Sequence, residues 1–149
     1  ELRWPRRGDG AWAWRQLTNL GLLLLSNVLL RLTVPVLAVG FALHREAQGL
    51  GLLPLLALPT WASVGLSMLL LDLAIYAQHR AFHRVPLFWR LHRVHHSDTG
   101  FDTSLALRFH PLEMLVSMGW KLAVIALLGT PALAVLLFEI ALSAFALFS

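Results

Sequence analysis

"WASVGLSMLLLDLAIYAQHRAFH", Trp61 to His83, decides the fold. It opens as an apolar helix pattern and finishes on two histidines four residues apart. No proline interrupts it before Pro86, so the spacing predicts one helix that begins at Thr60, a favourable N-cap type, and stops ahead of Pro86. Most of it belongs to an apolar run from Leu52 to Tyr76, with Pro54 and Pro59 near its start. A run of that length matches a bilayer core of about 30 Å. The histidines then fall at the exit end of a membrane helix.

The rest of the chain supports a bilayer as solvent. Its 149 residues are 58% hydrophobic and 13% charged, with a mean hydropathy of +0.69. A soluble domain carries roughly 25% charged residues. The absence of cysteine excludes disulfides, thiolate metal sites and cysteine nucleophiles. The net charge of +4 and pI near 11.1 are read as topology signals and contacts to anionic lipid, not as nucleic-acid binding.

Residues 1–16, with Trp4, Trp12 and Trp14 among Arg3, Arg6, Arg7 and Arg15, read as an interfacial lead-in and not as a secretory signal. A first apolar run covers Leu17 to Leu43, holds Arg31, and is expected to kink at Pro35. Residues 44–50, "HREAQGL", read as a short polar turn, with His44 on the surface. Residues 97–109 read as a loop. Runs Leu112–Leu128 and Ala132–Phe148, joined by Gly129, Thr130 and Pro131, form a helical hairpin of short spans. Lys121 inside it is expected to line the interior or to snorkel. The fold class is thus all-α: an integral membrane bundle of about four hydrophobic helices. Its parts are a lead-in (1–16), two membrane helices (17–76), a histidine segment (77–111) and the hairpin (112–148). If all four runs cross, Arg3, Arg6, Arg7, Arg15, Arg80, Arg84, Arg90, Arg93 and Arg108 share one side and Arg45 faces the other. That asymmetry puts the N-terminus and the histidine segment in the cytoplasm.

Between His79 and His96 lie five histidines and four arginines in 18 residues. His79 and His83 share a helix face, and Asp72 and Tyr76 lie on the same stripe. Pro86 breaks that helix. A second short helix from about Leu87 brings His92, His95 and His96 onto one face. Clustered imidazoles repel once protonated and need hydrogen-bond partners while neutral. A metal resolves both problems, and iron, zinc and copper all accept neutral imidazole. Asp72, Asp98 and Asp102, with Tyr76 on the same stripe, are candidates to hold and orient the rings. His110 stands open between ligand, support for a ligand, and a structural role. A zinc protease is disfavoured because HExxH needs its glutamate as base and "HRAFH" carries Arg80 there. Haem is disfavoured because adjacent histidines on one face bracket a macrocycle poorly.

"LDLAIYAQHRAFH", "PLFWRLHRVHHS" and "ALRFHPLE", in that order over residues 68–115, resemble the fatty acid hydroxylase superfamily, also called the sterol desaturase family. The resemblance implies an integral membrane enzyme with a non-haem di-iron centre at the cytoplasmic face, and His79, His83, His92, His95 and His96 as metal ligands. It implies dioxygen and a lipid as substrates, a fatty acid, sterol or ether lipid. Electrons would come from a cytochrome or ferredoxin with its reductase. Zinc could occupy the same imidazoles in a purified sample. The family carries further histidines after the next membrane passage, whereas this sequence starts on Glu1 and finishes "FALFS" at Ser149. The expectation is therefore an excerpt from a longer protein, holding five or six ligands of a two-iron set and inactive as it stands. The alternative is a non-catalytic metal-binding membrane fragment or scaffold.

Overall fold

A computed structural model describes residues 12–34, 37–97 and 108–148. Its elements are α1 (Trp12–Thr33), α2 (Ala38–Gln48), α3 (Leu52–Leu55), α4 (Thr60–Arg84), α5 (Pro86–His92), a 3₁₀ turn (His95–Ser97), α6 (Pro111–Leu128) and α7 (Ala132–Phe148). There is no strand among the described residues. Among the described residues, three segments are long and apolar enough to cross a membrane: Ala13–Leu55, Thr60–Arg84 and Pro111–Leu128. The protein is an all-α membrane bundle. α7, at 17 residues, is a shorter apolar helix packed on α2 and α4.

Local chemistry sets most boundaries, with three differences from the sequence reading. The first apolar run is two helices, and the expected kink at Pro35 lies outside the described residues. Residues 44–48 are not a turn: they continue α2, which ends on Gly49 in the left-handed conformation (φ 64°). Thr60 is the first residue of α4 and makes no side-chain cap; extended Pro59 precedes it. A proline cannot donate the N–H that would be left unpaired there, so its position at the helix entrance is favourable.

The bundle is turned inside out relative to a soluble one. Leu17, Leu24, Leu25, Val28, Leu32, Leu69 and Leu73 point outward, while Asn19, Ser26, Ser67 and Thr130 are buried. Small and polar residues let helices approach closely in lipid and bond across the contact. Gln78 Nε2 donates to Ser117 Oγ at 2.6 Å, and Trp120 Nε1 donates to the Ala74 carbonyl at 3.0 Å. Both tie α4 to α6.

α2 grips the turn between α6 and α7. Arg45 Nη2 donates to the Ala126 carbonyl near the C-terminal end of α6 at 2.9 Å. The neighbouring Glu46 Oε2 accepts from the Ala132 N–H that opens α7, at 2.9 Å. The cation thus meets the negative end of one helix dipole and the carboxylate the positive end of the next. Arg108, just ahead of α6, reaches Asn19 of α1 at 3.0 Å. The beginning of α1 and the histidine segment therefore share one end of the bundle, and Arg45 lies at the other. Arg31, without a role in the sequence reading, sits exposed in the last turn of α1, where a cation suits the helix C-terminus.

Lys121 lines the interior, and does not snorkel: its Nζ donates to Glu139 Oε1 of α7 at 2.6 Å. Removing one partner strands the other in a poor solvent. Lys121→Met is expected to destabilise by about 2–3 kcal/mol, below the range for fully buried pairs because the Glu139 side chain keeps 32% exposure. Adding Glu139→Leu should recover most of the loss. Unfolding titrations of the two variants in mixed micelles check this; a double variant no better than the single one contradicts it.

Candidate metal centre

The centre is made by a reversal at Pro86. A residue before proline is driven to extended backbone, and Val85 (φ −92°, ψ 118°) ends α4 and precedes α5 in that conformation. Pro86 then opens α5, its fixed φ suiting a first helical position. Phe82 and Phe88 close the corner, rings 5.5 Å apart and edge to face. The fold-back lays α5 against the end of α4, so that His92 faces His79 and His83.

Four imidazoles meet there. His79 and His83 bring Nε2 atoms to 3.1 Å, and His92 and His96 bring theirs to 3.2 Å. One ligand atom each from His79, His83 and His92 lies within 4.8 Å of the others. Ring centroids run 4.7 Å for His79–His92, 4.8 Å for His83–His92 and 4.9 Å for His83–His96. Two bare nitrogens at such separations repel unless a proton or a cation stands between them. Imidazole nitrogens about 2.1 Å from one cation lie roughly 3.0–3.4 Å apart at tetrahedral or octahedral angles. The two close pairs have that spacing, so the donor set fits a transition metal.

The segment "RFHPLE", Arg108 to Glu113, holds this cluster from behind. Glu113 Oε1 accepts from His92 Nδ1 at 2.6 Å, with both side chains buried. The Arg108 carbonyl accepts from His95 Nδ1 at 3.3 Å. A carbonyl can only accept, so His95 carries its proton there and Nε2 is the unprotonated nitrogen. Phe109 stacks on His95 at 4.8 Å and 4°. The Arg108 side chain donates to the Val94 carbonyl at 2.9 Å, to Ser97 Oγ at 3.1 Å and to Asn19. It ties the 3₁₀ turn to α1.

His110 is the N-cap of α6, its Nδ1 accepting from the Leu112 N–H at 3.2 Å. Of the residues proposed to orient the rings, Asp72 is exposed and bonds to no imidazole among the described residues. The Tyr76 hydroxyl accepts from Arg80 at 3.3 Å. Asp98 and Asp102 lie outside the described residues. His44 is on the surface, paired with Gln48. The residue missed in the sequence is Glu113. Its signal was present, a glutamate three residues after a histidine at a helix entrance, but nothing local says which imidazole it meets. Trp89 was also missed; its ring lies 5.3 Å from that of His83 and 5.7 Å from that of His96.

Beside the cluster, α4, α5 and α6 line a half-open apolar pocket of about 250 Å³ formed by Ala77, Gln78, Ala81, Phe82, Phe88, Val116 and Trp120. Phe82 separates the two spaces, one face stacked on His92 at 5.5 Å and 16°.

Burial, together with repulsion from His96 and His83, lowers the pKa of His92 to about 4. Burial also lowers that of His96, with His95 and His83 adding to the effect and Glu113 opposing it. Both rings therefore reach neutral pH uncharged, as ligands must. The sign for stability follows from proton uptake. An unfolded His92 binds its proton as pH falls through about 6.5, while the folded ring resists until about 4. Metal-free protein should therefore be most stable above pH 6.5 and lose stability steadily toward pH 4. Thermal unfolding at pH 7.5 and pH 5 tests this; an equal or higher midpoint at pH 5 contradicts it.

The family model for fatty acid hydroxylase matches residues 64–149, more than half of the chain and the part that holds the cluster. Fatty acid hydroxylase vlmA of Lecanicillium sp. is 40% identical over 64 residues, which are 42% of this chain and 18% of that protein. The chain thus spans about a fifth of that relative's length. No solved structure matches. The imidazole cluster behind a membrane helix and the match across it lead to one conclusion: the chain belongs to the fatty acid hydroxylase family.

Proposed function

We propose that the chain supplies the first histidine boxes of a membrane-bound non-haem di-iron oxygenase that hydroxylates a lipid. One observation carries the reading: four imidazoles from α4, α5 and the 3₁₀ turn approach through Nε2 at ligand spacing, with the Nδ1 atoms of His92 and His95 engaged from behind. Bound iron would supply activation of dioxygen, with the balance R–H + O₂ + 2e⁻ + 2H⁺ → R–OH + H₂O. His79, His83, His92, His95 and His96 would hold it. The half-open apolar pocket across Phe82 suits the alkyl part of a lipid. The two electrons would come from a small cytochrome or ferredoxin served by a reductase. Desaturation or ether-lipid cleavage would use the same donors. The excess of arginine at the histidine end supports a cytoplasmic orientation.

The test uses the natural full-length protein, purified in lipid micelles with its electron donor. Expected are a pair of irons per chain and hydroxylated lipid that carries isotope-labelled dioxygen's label. Metal bound without any oxygenated product would favour the alternative, a non-catalytic metal-binding membrane protein.

A further inference from the structure

We propose that Glu113 is a positioning residue for the imidazole centre: it fixes His92 with the proton on Nδ1 and the bare Nε2 turned toward the other rings. The inference rests on the metal reading above. His92 is the most buried of the histidines, at 1% exposure, and Glu113 is at 3%. They come from separate elements, α5 and α6, 21 residues apart, and meet at 2.6 Å. Burial disfavours the charged form of the Glu113 carboxyl, opposed by His95 and by the His110 backbone N–H; in its ionised form it can only accept, and buried this deeply it requires a donor. It therefore selects the tautomer that leaves Nε2 free. That nitrogen is the one 3.2 Å from His96 Nε2.

Helix capping does not account for the residue by itself. Glu113 faces the His110 backbone N–H, the reciprocal half of a cap whose other half is the His110 side chain, but its Oε1 is engaged by His92. Glu113 Oε2 is buried with no partner, an arrangement a cap alone would not require. The Phe82 ring, stacked on His92, blocks rotation of the imidazole out of this plane. The carboxylate from α6 and the phenyl from α4 thus hold one ring from two sides.

Nitrogen NMR of ¹⁵N-histidine-labelled, metal-free full-length protein reads the tautomer directly, with His92 assigned through its contact with Phe82. Wild type should show His92 protonated on Nδ1; protonation on Nε2 overturns the proposal without any variant. Glu113→Gln keeps the shape, but its amide can accept or donate, so His92 should become a mixture of tautomers. Cobalt(II) titration of the same samples should show affinity reduced about 10- to 100-fold in Glu113→Gln. A variant with wild-type tautomer overturns the proposal, whether its cobalt affinity is kept or lost, since a loss would then be merely structural. Wild type that binds no cobalt would sink the metal reading, while the tautomer measurement would still decide the role of Glu113.

Discussion

His92→Ala is expected to empty the centre of metal and to weaken the fold at the same time. The ring is central to the cluster: it faces His79, His83, His95 and His96 with centroids between 4.7 and 5.6 Å away. Truncation removes one ligand from the group that also holds His79 and His83. It also strands the Glu113 carboxylate, buried and without its donor. Leaving a buried polar group unsatisfied costs about 1–3 kcal/mol, more when it is charged, and the hollow beside Phe82 adds to that. His96→Ala separates the two effects. His96 is exposed, so its loss should leave the stability of the metal-free protein within about 0.5 kcal/mol while still abolishing metal retention. Metal analysis of purified full-length variants and thermal unfolding without metal read the two quantities. Metal retained by both variants at wild-type level would mean that the ligand assignment is wrong.

Gly129→Ala is expected to damage the bundle severely with a single methyl. Gly129 ends α6 at φ +65°, and an added Cβ would lie 2.4 Å from the Leu50 carbonyl oxygen. Gly51 answers from the other side, at φ +133°, where a Cβ would lie 2.3 Å from Gly129 Cα. Backbone presses on backbone, so no side chain can swing away. Left-handed backbone costs a non-glycine residue about 1 kcal/mol or more, and an overlap that only a chain shift can relieve adds about 1–3 kcal/mol. The damage should reach the Arg45 and Glu46 contacts that clamp the same turn. Stability titration and proteolysis near residues 49–51 should both respond. Gly65→Ala is the control, since nothing lies within 4 Å of a Cβ there, and it should change little. Equal stability of the two variants would sink the account.

The helices that carry the site were legible because their determinants are local. Apolar length gave α4 and α6, Pro86 gave the break, and the four-residue spacing gave the two histidine faces. The boundary errors have long-range causes. "HREAQGL" has the composition of a turn, yet its first residues remain helical because Arg45 and Glu46 have partners on α6 and α7, more than eighty residues away in sequence. For Lys121 the sequence left the interior and snorkelling both open, and Glu139 across from it decides for the interior. Each case concerns a polar side chain in an apolar segment, where the partner, and not the residue's own neighbours, decides its role.

The sequence by itself determined that this is an all-α membrane protein with imidazole concentrated at one end of a helix, because hydropathy, proline and spacing act over short distances. Which groups orient the imidazoles was decided only by the tertiary structure. Asp72 and Tyr76 share the stripe of His79 and His83, but a shared helix face does not bring a side chain to a ring nitrogen. Glu113 does reach one, because α6 packs its first turn against the end of α5. Burial there excludes water, and a buried imidazole and a buried carboxylate each need the other.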